Sequence, residues 1–264
     1  MRPLSKSKII AFRQCPKRLW LEVHRPELRL DSAETLARFQ VGYQVGDVAR
    51  RIYDPKGKGA VIDVKKEGFP GAFARSAQLL KGSAHPVFEA GFQIAGALAF
   101  ADVMLPVTER RRRAWRMVEV KSSTSVKDYH RDDAAVQTFI ARAAGVSVSS
   151  ISLACIDSSW TYPGDGDYDG LLVETDLTAE VNARSDEVRG WLADAQKVVA
   201  RAAEPKIEVG DHCHDPFECG YCTYCNRDKP QPKHPLDWLP NFSAARRGQL
   251  AKESLCSPGD ISTL

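Results

Sequence analysis

Glu119 and Lys121 stand two residues apart in MVEVKSSTSV, residues 117–126. Alternate side chains of a strand share a face, so these two project together while Val118 and Val120 turn to the core. Taken alone, such a pair is an exposed ion pair at a strand end. Asp102, the single acid of LAFADVML (98–105), changes that expectation. If its strand pairs antiparallel with the Glu119 strand, the two carboxylates lie side by side, and they repel unless a cation sits between them. Oxygen ligands at a strand end suit Mg2+ or Mn2+, which keep several waters. Lys121 is then placed to orient an attacking water or to offset charge on a phosphate. Gln137 shares a helix face with Ile140, Ala141 and Ala144 and points inward above the end of this strand. It either orders the site or caps a buried backbone group. Glu89, in VFEAGF (87–92), is a further candidate metal ligand or positioning base, or the ladder partner of an arginine.

Cysteines offer a second chemistry. Four of the seven fall within 213–225: Cys213, Cys219, Cys222 and Cys225. In a reducing compartment such a cluster reads as a metal site rather than as disulfides. Four thiolates make a local tetrahedral zinc site, with no need of the distant Cys15. Cys155, in an apolar strand, and Cys256, in the tail, are expected to be inert.

The 264 residues suffice for one large core with a small satellite module, and the net charge of +3 identifies no partner. No stretch approaches the ~20 apolar residues that span a bilayer, and the first apolar run, IIAF, is too short for a signal peptide. A cytoplasmic protein without a membrane partner is expected.

Several elements must position these residues. Ser5 caps a helix that Pro16 ends just after Cys15. Helices follow at 32–53 and 70–81. Strands at 86–96 and 97–107 turn near Gly96, a charged loop spans 108–113, and a third strand spans 114–121. A helix from Asp132 to about Ala144, with acids in its first turn, precedes a strand at 149–157, then a short strand LLVET and one long helix at 176–203. Three strands on short connections form a meander, and the helical crossover favours a parallel fourth. Residues 241–264 hold at most one short helix.

The succession Asp102, Glu119-Val120-Lys121, Gln137 resembles the PD-(D/E)XK nuclease superfamily in its RecB-like branch. LSKSKIIAFRQCPKRLWLE (4–22), FEAGF (88–92), VEVKSSTSVKDYH (118–130) and HCHDPFECGYCTYC (212–225) resemble more closely one bacterial RecB-like family, related to the CRISPR adaptation nucleases that carry an iron–sulfur cluster. The likeness covers about residues 4–226. It implies an α/β, restriction-endonuclease-like fold, a mixed central sheet flanked by helices, with a cysteine module joining the N- and C-terminal regions. Residues 1–228 would form the nuclease domain, and the Pro-rich 229–264 a linker and tail that leads to a further domain in longer relatives.

The resemblance implies a deoxyribonuclease acting on single strands or ends, with protein partners in repair, defence or CRISPR adaptation. Asp102 and Glu119 would bind the divalent metal, Lys121 would assist the water, and Gln137 would order the site. It also implies a 4Fe–4S cluster on Cys15, Cys213, Cys219 and Cys225, or on a set with Cys222 replacing Cys213, stapling the chain ends together. Two departures stand out: VGYQVGDVARR (41–51) lacks the family's histidine, and Ala141 replaces a tyrosine. An inactive nucleic-acid- or protein-binding module and a zinc-binding adaptor are therefore the alternatives. Arg110–Arg113, a basic cluster of Lys6, Lys8, Lys17 and Arg18, and the loop residues Tyr129 and His130 are candidate nucleic-acid contacts.

Overall fold

The chain enters through a two-residue strand, β1 (Leu4–Ser5), that pairs in parallel with the start of β4 (Ala97–Glu109) at Ala97 and Leu98. Ser5 then caps α1 (Lys6–Gln14), its hydroxyl accepting the Lys8 N–H at 3.4 Å. This is a computed structural model, and it describes residues 2–228 together with Arg246 and Leu250. The expected linker and tail helix, and Cys256, lie outside the described residues.

Cys15 separates α1 from α2 (Pro16–His24), as the proline requires. After α3 (Ala33–Tyr53) and the short β2 (Ala60–Val61) comes α4 (Val64–Gly82). It starts earlier than the expected 70–81 because Asp63 caps an extra turn, which Gly68 breaks at φ 67° just before Pro70. β3 (Val87–Ile94) and β4 form a hairpin closed by Gly96 at φ 83°. β5 (Arg112–Lys121) follows at once. The charged segment 108–113 is thus no loop: only Arg110 and Arg111 turn, both with positive φ, and their neighbours continue the ladder.

Next comes α5 (Asp128–Ala143), one turn longer than expected, so Tyr129 and His130 belong to a helix and not to a loop. β6 (Val148–Ile156) and β7 (Leu172–Asp176) complete the sheet. The single helix expected at 176–203 is two, α6 (Thr178–Ala183) and α7 (Ser185–Val199), divided at Arg184. A short α8 (Cys222–Cys225) closes the described chain.

The seven strands form one mixed sheet ordered β2-β3-β4-β5-β6-β7, with β1 beside β4. β3, β4 and β5 are the expected antiparallel meander, and β6 lies parallel to β5 after the α5 crossover. The main core, including Met117, Ile140, Ile151 and Trp191, fills one face beneath α5, α1 and α7. α3 covers the other face, where Tyr53 packs on Phe88, Val103, Val118 and Ala154. A mixed central sheet flanked by helices is the architecture that the resemblance implies.

Candidate active site and cysteine module

β4 and β5 stay in register until Val103 faces Val118. Asp102 and Glu119 are the next pair along, just past the last ladder position. Asp102 therefore sits in the middle of its long strand, not near its end, at the point where pairing with β5 stops. Its carboxylate accepts the Val120 N–H at 2.8 Å. Across β3 the ladder skips Glu89, which takes φ 55° between paired Phe88 and Ala90. Such a conformation in a non-glycine residue stores roughly 1–3 kcal/mol and marks a position held by its surroundings. Glu89 is half exposed and faces Arg50 at 3.7 Å, an arginine that comes from α3 and not, as the ladder reading expects, from a neighbouring strand. It lines the same cleft as Asp102.

Glu119 is 1% exposed. Its Oε1 receives two ammonium groups, Lys121 at 2.8 Å and Lys6 at 2.7 Å. Lys121 also bonds Asp133, and Lys6 lies 3.3 Å from the same carboxylate. Lys6 donates to Gln137 Oε1 at 2.6 Å. Gln137 sits deeper than expected, because α5 begins earlier. It is fully buried under Met117, whose sulfur takes its amide at 3.3 Å, and it reaches the site through Lys6.

The four expected residues thus gather, with two more that the sequence reading missed. Lys6 was placed in a surface cluster, yet the β1–β4 pairing drives it into the centre. Asp133 was taken as a helix-dipole acid. It lies four residues before Gln137, and that spacing on an inward face was the available signal.

Electrostatics follow from burial. Burial first and neighbouring Glu119 second push the Asp102 carboxyl up to about 7, against Lys6 and Lys121. For Asp133 burial also acts upward, but Lys121 and Lys6 outweigh it and hold the group well below the usual carboxylate range. Burial disfavours charge on both lysines, yet Asp133 and Glu119 outweigh it and raise both pKa values. Three carboxylates face two ammonium groups, and Glu119 Oε2 is buried without a hydrogen-bond donor. An orphaned carboxylate oxygen beside a carboxyl that resists ionisation fits a cation ligand set in chemistry. Among the described residues, no three His, Cys, Asp or Glu groups stand close enough together to hold an ion, at the carboxylates or at the cysteines; at Glu119 two lysines take Oε1.

The other expected contacts fare differently. Arg110 to Arg113 lie at the far end of the β4–β5 hairpin, where Arg112 is seven residues and about 24 Å from Glu119 at ~3.4 Å per residue. They are not beside the site. Lys17 pairs with Glu204 at 3.3 Å and Arg18 with Glu22 at 2.9 Å, so the basic cluster near Cys15 is largely neutralised. His130 is buried and caps α5, its Nδ1 accepting the Lys127 N–H at 3.2 Å.

Five cysteines, Cys15, Cys213, Cys219, Cys222 and Cys225, line one small cavity between the α1–α2 junction and the 207–225 segment. Cys222 touches both Cys213 and Cys219. Its hydrogen bonds bring the Cys213 thiol down to about 5 and that of Cys219 to about 7. In type and number the thiols fit either a 4Fe–4S cluster or zinc. Gln14 clasps the module from α1, its amide donating to the carbonyls of His212 at 2.9 Å and Phe217 at 2.7 Å. Cys155 is buried in β6, away from this cavity.

No family model and no curated protein matches the chain. Among solved structures, it is similar to the crystal structure of SSO0001, at 14% identity and a TM-score of 0.36, over 76% of this chain and 78% of that one. It is also similar to an alkaline exonuclease (LHK-Exo) from Laribacter hongkongensis, at 13% identity and a TM-score of 0.32, over 75% and 89% of the two chains. Both likenesses are distant and concern the fold, so what the site does must come from its own residues.

Proposed function

We propose that the chain is a metal-dependent deoxyribonuclease of the RecB-like PD-(D/E)XK type. The observation that supports this most directly is the convergence of Asp102, Glu119 and Lys121 where β4 and β5 part, with Glu119 Oε2 buried and unpartnered. Asp102 and Glu119 would hold Mg2+ or Mn2+, with Glu89 beside them. A divalent cation there supplies positive charge against the phosphodiester and eases loss of a proton from water. Lys121, anchored by Asp133, orients the attacking water and offsets charge growing on the phosphate. Lys6, held by Gln137, aims the Glu119 carboxylate. The cysteine module would carry a 4Fe–4S cluster and tie Cys15 to the 213–225 segment, a structural role.

Two observations favour a second reading, an inactive nucleic-acid-binding module of the same fold. Both lysines already neutralise Glu119, and Ala141 replaces the expected tyrosine. Digestion of single-stranded and duplex DNA with Mg2+ separates the two. The wild type should cut, EDTA should stop it, and Lys121→Ala and Glu119→Gln should each lose about 100-fold or more. Equal cutting by wild type and Lys121→Ala rules out the enzyme, and metal-independent binding without cleavage supports the module. Absorption of anaerobically purified protein reports the cofactor: a broad visible band means iron–sulfur, and a colourless zinc protein means the local tetrahedral site.

A further inference from the structure

Two exposed features at opposite ends of the sheet take no part in the site. The first is the turn between β4 and β5. Glu109 faces Arg112 across it, so Arg110 and Arg111 alone make the bend, at φ 46° and 62°. A two-residue turn with positive φ at both positions favours Asn-Gly, and two bulky side chains there are strained. An outlier of this kind points to a function. Arg110, Arg111 and Arg112 are exposed, and no salt bridge among the described residues reaches them.

The second feature is the segment from Asp157 to Asp176, which leads from β6 through β7. It holds six acids and no Lys, Arg or His, in a chain whose net charge is +3. Its loop gathers three aromatic rings. The Tyr162 centroid lies 5.4 Å from that of Tyr168 and 5.9 Å from that of Trp160, and the last two are 6.1 Å apart. Local bonds fix the cluster: the Trp160 indole N–H donates to the Asp169 carbonyl at 2.8 Å, and the Tyr162 hydroxyl accepts the Gly166 N–H at 2.7 Å. Tyr162 is nonetheless 49% exposed. Asp165, Asp167 and Asp169 of the same loop are exposed too, and no salt bridge among the described residues reaches them.

We propose that the Arg110–Arg111 turn of one copy of this chain docks on the Trp160–Tyr162–Tyr168 loop of a second copy. A guanidinium stacks on an aromatic face while its N–H groups pair with carboxylates, so arginine suits a surface that offers both. Trp, Tyr and Arg are also the side chains that most often carry the binding energy of a protein interface. The contact must form between molecules. β5 runs from Arg112 to Lys121, about 30 Å at ~3.4 Å per residue, and β6, parallel to it, enters the acidic loop after Ile156. The turn and the loop of one chain therefore stand at opposite ends and never meet. Two copies lying antiparallel satisfy both contacts at once, and the pair closes as a symmetric dimer. Each docked turn then stands at the Lys121 end of its partner's sheet, where the Ile156 N–H donates to the Ser123 carbonyl at 2.9 Å. A basic segment of another protein would suit the loop, and a nucleic-acid backbone would suit the turn, but only a second copy accounts for both. The proposal does not depend on the nuclease reading.

Sedimentation equilibrium of the full chain tests it. At about 0.05 M salt the weight-average mass should climb from monomer toward dimer with concentration, and about 0.5 M salt should weaken the association about tenfold by screening. Arg110→Glu with Arg111→Glu should weaken it about tenfold or more, and so should Asp165→Lys with Asp169→Lys, since each places like charges together. Mixed in equal amounts, the two variants should recover the association, because every contact then joins opposite charges. Misfolding does not produce that recovery. Tyr162→Leu should weaken the dimer, and Tyr162→Phe, which keeps the ring face, should not. A wild type that stays monomeric, variants that associate like the wild type, or a mixture no better than its parts each overturns the proposal. If turn reversal abolishes oligonucleotide binding and leaves self-association intact, nucleic acid is the partner of the turn and the proposal falls.

Discussion

Asp102 is a residue whose charge the fold resists. Its folded-state pKa of about 7 lies above the ordinary 3.8, so the folded protein holds this proton more tightly than the unfolded chain does. The stability that this gives is full below about 4 and is lost as pH rises through about 7. Asp102→Asn keeps an acceptor for the Val120 N–H and cannot ionise. In EDTA at pH 8 the variant should therefore melt above the wild type, by about 2–4 °C for each kcal/mol relieved, and the gap should shrink at pH 5. Thermal melts at the two pH values check this. An unchanged gap would mean that Asp102 feels neither its burial nor Glu119.

Among the elements, α5 does most to build the site. It crosses over from β5 to β6, buries its inward face against Met117, and delivers Asp133 and Gln137 one turn apart toward the two lysines. Its start depends on a neutral His130. Burial and then Lys121 lower the His130 pKa to about 4, so its contribution is fully present above about 6.5 and is lost as pH falls toward 4. His130→Gln retains an acceptor for the Lys127 N–H without titrating. Wild-type and variant melting temperatures should run parallel above pH 6.5, and the wild type should drop further below it.

At the scale of the whole molecule, the cysteine module brings Cys15, at the α1–α2 junction, beside the 213–225 segment. The segment from Cys15 to Cys213 is a loop of about two hundred residues, and cross-linking it reduces the freedom of the unfolded chain. Cys15 separates the two cofactor readings. If the set includes it, Cys15→Ala abolishes visible absorbance and lowers the melting temperature. If zinc sits on the local four, the variant keeps its zinc stoichiometry. The Gln14 clasp acts with either cofactor, and Gln14→Ala should lower stability by about 1 kcal/mol in denaturant titrations, since it strips half-buried carbonyls of their donor.

The sequence by itself determined the parts of this protein that short periodicities control. Strand alternation put Glu119 and Lys121 on one face, helical spacing turned Gln137 inward, Pro16 split α1 from α2, and the helical crossover made β6 parallel to β5. Each follows from a repeat of 2 or 3.6 residues or from one stiff ring. Only the tertiary structure decided what these faces meet. Lys6 reached the centre because two residues of β1 pair with β4, 93 positions further along the chain. Asp133 exchanged a dipole role for an ion pair because α5 packs over β5. Arg110–Arg113 moved out of reach because the hairpin extends instead of looping. Contacts between distant segments depend on how whole surfaces fit together, and no local repeat in the chain encodes that fit.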